Sequence, residues 1–86
     1  MLLPSDSTPE TEYLRNIFWQ ELQAALDELP VVQREVFIQN EIEGIPFKDI
    51  ADQTGELVAT LISRKRYAVL HLRERLSVLK DELLNY

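Results

Sequence analysis

Six basic side chains follow Gly55 in this chain, and the chemistry open to them is the recognition of anions: Arg64, Lys65, Arg66, Arg73, Arg75 and Lys80. Arginine pairs bidentately with a guanine edge, and both arginine and lysine neutralise phosphates. Thr60 and Ser63 add hydroxyls suited to phosphate or base edges, the Ala59 methyl suits a thymine methyl, and the Tyr67 ring can stack. The charge is divided to match. Residues 1–56 carry twelve acids and three bases, whereas residues 57–86 carry six bases and three acids, within a net charge of −6. Such asymmetry can place an electrostatic footprint on one element; a basic cluster taken alone reads first as an ordinary solvated helix face, and its position on the second helix of the helix-turn-helix is what turns the reading toward DNA.

Other chemistries find little support in the residues. His71 stands without a cysteine or a second histidine, which argues against a metal site and against general-base work. Glu41, Glu43, Asp49 and Asp52 fit no calcium-loop spacing and read better as solvated helix ends. Ser5, Ser7 and Thr8 have no histidine near them in sequence, and no glycine-rich phosphate loop or pair of catalytic acids is present. No enzyme activity, cofactor or metal is expected. With no cysteine there is no disulfide framework, which suits a reducing cytoplasm. The longest stretch free of charge and histidine, Leu57 to Ser63, is too short to span a membrane, and MLLPSDSTPE lacks the features of an export signal. A cytoplasmic protein without membrane contact is expected.

The elements that must hold these side chains read as helices. Residues 1–12, with Pro4, Pro9 and their Ser/Thr content, are expected as a flexible linker or tail, and residues 13–86 as one domain. From about Tyr13 to Glu28, Leu14, Phe18, Leu22, Ala25, Leu26 and Leu29 recur at threes and fours, the spacing of one helical face. Pro30 suits the first turn of a second helix, carried by Val32, Val36 and Phe37 to about Asn40 and ended by Glu43 and Gly44. A short helix follows from about Pro46 to Gln53. The last runs from about Leu57 to Leu84 on a stripe of Leu61, Ala68, Leu72, Leu76, Leu79 and Leu83. No alternating strand pattern competes, so the expected fold is all-α: four helices with a C-terminal helix-turn-helix. Leu14, Phe18, Leu22, Val36, Phe37, Ile50, Ala51, Leu61 and Leu72 are expected in one core. Within the helix-turn-helix, small Ala51 allows close helix approach, Gly55 supplies the positive φ of the turn, and the second helix stands proud where it can enter a major groove.

LPVVQREVFIQNEIEGIPFKDIADQTG followed by TLISRKRYAVLHLRERL resembles region 4 of bacterial RNA polymerase sigma factors, in particular the extracytoplasmic-function group. The resemblance covers roughly Leu22 to Leu76. It rests on Leu29-Pro30, Gln33-Arg34-Glu35-Val36-Phe37, Glu43-Gly44, Phe47 with Asp49-Ile50-Ala51, Gly55, Thr60, Ser63-Arg64, Ala68 and Leu72-Arg73 in this order. It implies recognition of the promoter −35 element and docking on the flap of the polymerase β subunit. Val32, Val36 and Phe37 are expected to divide between the core and an apolar docking groove, and an anti-sigma protein is a further partner of such domains. The −10-melting region of these factors is not found in this chain.

Two departures from the family pattern bear on the site. Ile62 stands where a polar residue is usual and Lys65 where an aliphatic one is usual. With Leu61 at zero, Lys65 falls at about 40° and Ile62 at about 100° on a helical projection, so a lysine lies in the buried stripe and its head is expected to snorkel to water. Glu56 and Leu57 replace the usual capping sequence, and losing a side-chain N-cap costs about 1 kcal/mol. The same projection turns Ala59, Ser63, Arg66 and Tyr67 away from the stripe, flanked by Thr60 and Arg64. These six are the expected DNA readers, with Arg73 added as a phosphate contact. Two further classes stay open: a protein-interaction module whose helix-turn-helix has lost DNA binding, favoured by Ile62 and Leu70, and the effector domain of another regulator, dimerising through the last helix.

Overall fold

A computed structural model of the chain describes residues 8–84. Those residues form four α-helices and one π-helical segment, with no strand among them: α1 (Pro9–Asp27), α2 (Val31–Phe37), the π segment (Ile38–Ile42), α3 (Phe47–Thr54) and α4 (Val58–Leu84). The expected all-α architecture with a C-terminal helix-turn-helix is the one observed.

The first helix starts four residues earlier than its apolar periodicity implied. Thr8 caps it, its hydroxyl accepting the Thr11 N–H at 3.1 Å, Pro9 occupies the first turn, and Glu10 and Glu12 face the positive end of the helix dipole. Residues 9–12 of the expected linker are therefore helical, and residues 1–7 lie outside the described part. Pro30 takes the cap position of α2 rather than its first turn, and its carbonyl accepts from Gln33 and Arg34, each at 3.0 Å.

The second helix was expected to continue as α-helix to about Asn40. Instead it widens into the π segment after Phe37, where Glu43 N–H reaches back five residues to the Ile38 carbonyl at 2.9 Å. Gly44, at φ +74°, turns the chain, and the Asn40 amide donates to the Ile45 carbonyl at 2.9 Å. The α3 helix then ends on Gly55 at φ +77°, whose N–H bonds the Ala51 carbonyl at 2.9 Å.

The apolar residues pack as two clusters rather than the single core expected. Leu22, Ala25, Leu26, Leu29, Phe37, Ala68 and Leu72 make one; Val36, Ile50 and Leu61 make the other, with Ile45, Phe47 and Ala51 at its margin. Val36 and Phe37 account for the division. Adjacent helical residues point about 100° apart, so α2 sends one side chain toward the α3 side and the next toward α1 while α4 runs beneath both. Leu14 is 47% exposed and leaves the expected core, whose α1 members start at Phe18. Leu76 and Leu79 are half-buried as the stripe requires; the side chain of Leu83 lies outside the described part.

Candidate nucleic-acid interface

The turn at Gly55 fixes how α4 leaves α3. Behind it, the Thr54 hydroxyl donates to the Ile50 carbonyl at 2.7 Å and accepts from the Glu56 N–H at 3.3 Å. Ile50 and Leu61, both almost fully buried, join the two helices across the turn. With the inner face of α4 held there, Ala59, Ser63, Arg66 and Tyr67 are exposed and Thr60 is half-buried, as the projection required.

These residues line two open grooves. Ala59, Thr60, Ser63, Arg64 and Tyr67 line an open groove against Val32 and Gln33 of α2. Arg66 and Arg73 line another, floored by Phe47 and Val69 and flanked by Ile62, Lys65 and Leu70. The expected readers thus line both grooves. Arg66 lies on the side of the exposed apolar residues. Val32 and Gln33 were absent from the expected reading set, and no local signal marks them, since they approach α4 only through the fold.

Charge pairing divides the bases further. The Arg64 guanidinium lies 3.5 Å from the Glu56 carboxylate, and its side chain is only 28% exposed. An arginine expected to meet DNA is thus partly neutralised at the entrance of its own helix. Lys65 does not reach into open water as expected. Its ammonium donates to Asn40 Oδ1 at 2.5 Å and to Glu41 Oε2 at 2.6 Å, and lies 5.6 Å from the centroid of the Phe47 ring. The lysine in the apolar stripe fastens α4 to the π segment. The sequence carried one signal for this, because a cation on a buried stripe requires a partner.

Arg75 and His71 fall in a third place. Arg75 Nε donates to both Glu28 carboxylate oxygens, at 2.9 and 3.1 Å, and His71 Nε2 lies 2.8 Å from Oε1. Hydrogen bonds from His71 and then from Arg75 hold the Glu28 carboxyl below its ordinary pKa. Glu21 lies 3.6 Å from the same arginine. His71 therefore belongs to an ionic cluster joining α4 to the end of α1.

Of the residues expected to dock on polymerase, Val36 and Phe37 go to the core and Val32 to the surface, so the expected division is uneven. Val36 is 2% exposed and packs with Ile50 and Leu61, on the core side of the expected division. Phe37, though also buried, lines an apolar groove with Val69, Leu72 and Leu76.

No helix among the described residues is long and apolar enough to cross a membrane. No curated protein and no solved structure shows significant similarity to the chain. The family model for "Sigma-70, region 4" matches residues 19–72, which run from the middle of α1 through the helix-turn-helix to Leu72 of α4. That span contains both apolar clusters, the Gly55 turn and the groove of candidate readers, and the chain belongs to the sigma-70 region 4 family.

Proposed function

We propose that this domain reads the promoter −35 element while docked on the β-flap of RNA polymerase, as part of a sigma factor of the extracytoplasmic-function type. The family itself carries a DNA-binding role in transcription and interaction with polymerase. The finer reading is supported chiefly by the groove in which Ala59, Thr60, Ser63, Arg64 and Tyr67 stand together on the exposed side of α4. In this reading Ser63 and Thr60 contact phosphate or base edges, Ala59 meets a thymine methyl and Arg66 pairs with a guanine. Arg73, about 10 Å farther along the helix axis, neutralises a phosphate at the groove edge.

Affinity for DNA alone is expected to be low. A chain of net charge −6 is repelled by a duplex at long range, and Glu56 already engages Arg64. Docking on polymerase, through the apolar groove floored by Phe37 and with Val32 at the surface of α2, raises the effective concentration of the domain at the promoter.

A second reading, a protein-interaction module that docks on polymerase or an anti-sigma protein without reading DNA, is favoured by Ile62 and Leu70. Each is 49% exposed on the outer part of α4. Binding titrations against promoter-like duplexes, with and without a β-flap fragment, separate the two readings. The sigma reading expects flap binding at about tens of micromolar and salt-dependent DNA binding in the tethered complex. Flap binding without DNA binding selects the docking module, and failure to bind the flap removes polymerase docking from both.

A further inference from the structure

Ile62 lies in the second turn of α4 and is 49% exposed, while Leu61 beside it is 3% exposed and fills the buried position. Turned about 100° from Leu61, Ile62 joins neither apolar cluster. A lone apolar side chain on a surface needs no explanation by itself. At this place it has a consequence, because the first turns of a recognition helix are where base edges are met.

Two neighbours define what Ile62 faces. Arg66 stands one turn farther along the same side of the helix and lines the same groove. Lys65 also lines it, but its ammonium is drawn off to Asn40 and Glu41. The exchange of characters between positions 62 and 65 thus withdraws a cation from the groove and leaves there a side chain that neither donates nor accepts a hydrogen bond. Base edges in the major groove present donors, acceptors and one apolar group, the C5 methyl of thymine. An isoleucine is complementary to that methyl alone.

We propose, building on the promoter reading, that Ile62 is a specificity-determining residue that packs on the C5 methyl of a thymine near the base met by Arg66. Residues four apart on a helix bring their Cβ atoms to about 5–6 Å, against a rise of about 3.4 Å per base pair, so the thymine lies about one or two steps away. Leu70 is the control. It lines the same groove and is equally exposed, but sits about 12 Å farther along the axis from the entering end.

The test changes the DNA before the protein. A preferred duplex is selected from a randomised pool by the full chain at low salt, with and without a β-flap fragment, and each thymine is replaced in turn by deoxyuridine, which lacks only the methyl. At one thymine the replacement should weaken binding about threefold to fivefold, the scale of one buried methyl. Ile62→Ala should bind the thymine and uracil duplexes equally, whereas Ile62→Val should keep most of the difference and Leu70→Ala all of it. With cytosine at that position, 5-methylation should tighten binding of the parent chain and not of Ile62→Ala. Circular dichroism checks that the variants keep their fold. If a duplex is selected and uracil binds like thymine at every position, the methyl contact falls while the promoter reading stands. A thymine preference that survives in Ile62→Ala belongs to another group, such as Ala59, and overturns the assignment as well. If no duplex is selected under either condition, the promoter reading and the methyl contact fall together.

Discussion

Glu56 and Arg64, eight residues apart on either side of the entry into α4, bring their charged groups to 3.5 Å of each other. The carboxylate thus lies beside the groove of candidate readers and competes with a phosphate for the same guanidinium. Glu56→Gln should tighten binding to any duplex about two- to fivefold, the scale of one exposed ion pair released. The log–log salt dependence should steepen by about 0.9 if Arg64 then gains a phosphate. Unchanged affinity across a salt titration would show that Arg64 takes no part in binding.

Arg66 and Arg73 should differ in kind. Arg66→Ala is expected to cost about 1 to 3 kcal/mol on the preferred site and less on random duplexes, the behaviour of a base contact. Arg73→Ala should lower affinity almost equally for all sequences and make the salt slope shallower by about one. Equal losses on specific and random duplexes would reduce Arg66 to a phosphate clamp. The measurement is made in the polymerase-tethered complex.

Gly55 is needed for its backbone and not for its small size. A Cβ at this position would meet nothing within 4 Å, yet φ is +77°. Gly55→Ala should therefore cost about 1 to 2 kcal/mol in chemical denaturation, the left-handed penalty of an L-residue. Gly55→Asn should recover part of it, since asparagine tolerates that region. A loss well above this range in the alanine variant would point to a steric role that the open space does not support.

Ala51 is small for the opposite reason. It packs at the margin of Val36, Ile50 and Leu61, where α3 crosses α4. Ala51→Leu should overpack that crossing and cost about 1 to 3 kcal/mol. Unchanged stability would mean that the helices can separate without loss.

Glu28 should shape the acid limb of the stability profile. An unfolded glutamate titrates near 4.5, and in the fold hydrogen bonds from His71 and Arg75 hold Glu28 below that value. Between the two values the unfolded chain binds more protons, so the contribution is complete above 4.5 and is lost as pH falls through the folded value. The stability difference between the parent chain and Glu28→Gln should shrink on going from about pH 6 to about pH 3. A difference constant across that range would show that the ionic cluster adds nothing to folding.

Four helices, their turns and the outward direction of Ala59, Ser63 and Tyr67 were legible in the sequence because each depends on neighbours within a few residues. Periodicity selects the buried face of a helix, and a glycine at positive φ ends one, whatever lies elsewhere. Two local features escaped that reading: the Thr8–Pro9 start of α1, which precedes the apolar periodicity, and the π segment after Phe37, which shares its residue types with an α-helix.

Tertiary structure alone decided which charges stay available. Lys65 meets Glu41 across 24 residues of chain and Arg75 meets Glu28 across 47, and no spacing rule reaches so far. The same holds for the groove that sets Val32 and Gln33 beside the readers, and for the division of Val36 and Phe37 between two clusters. A side chain's periodicity states which way it points from its own helix axis. What it meets there depends on how the axes cross, and the crossings are set by the packing of both apolar clusters together.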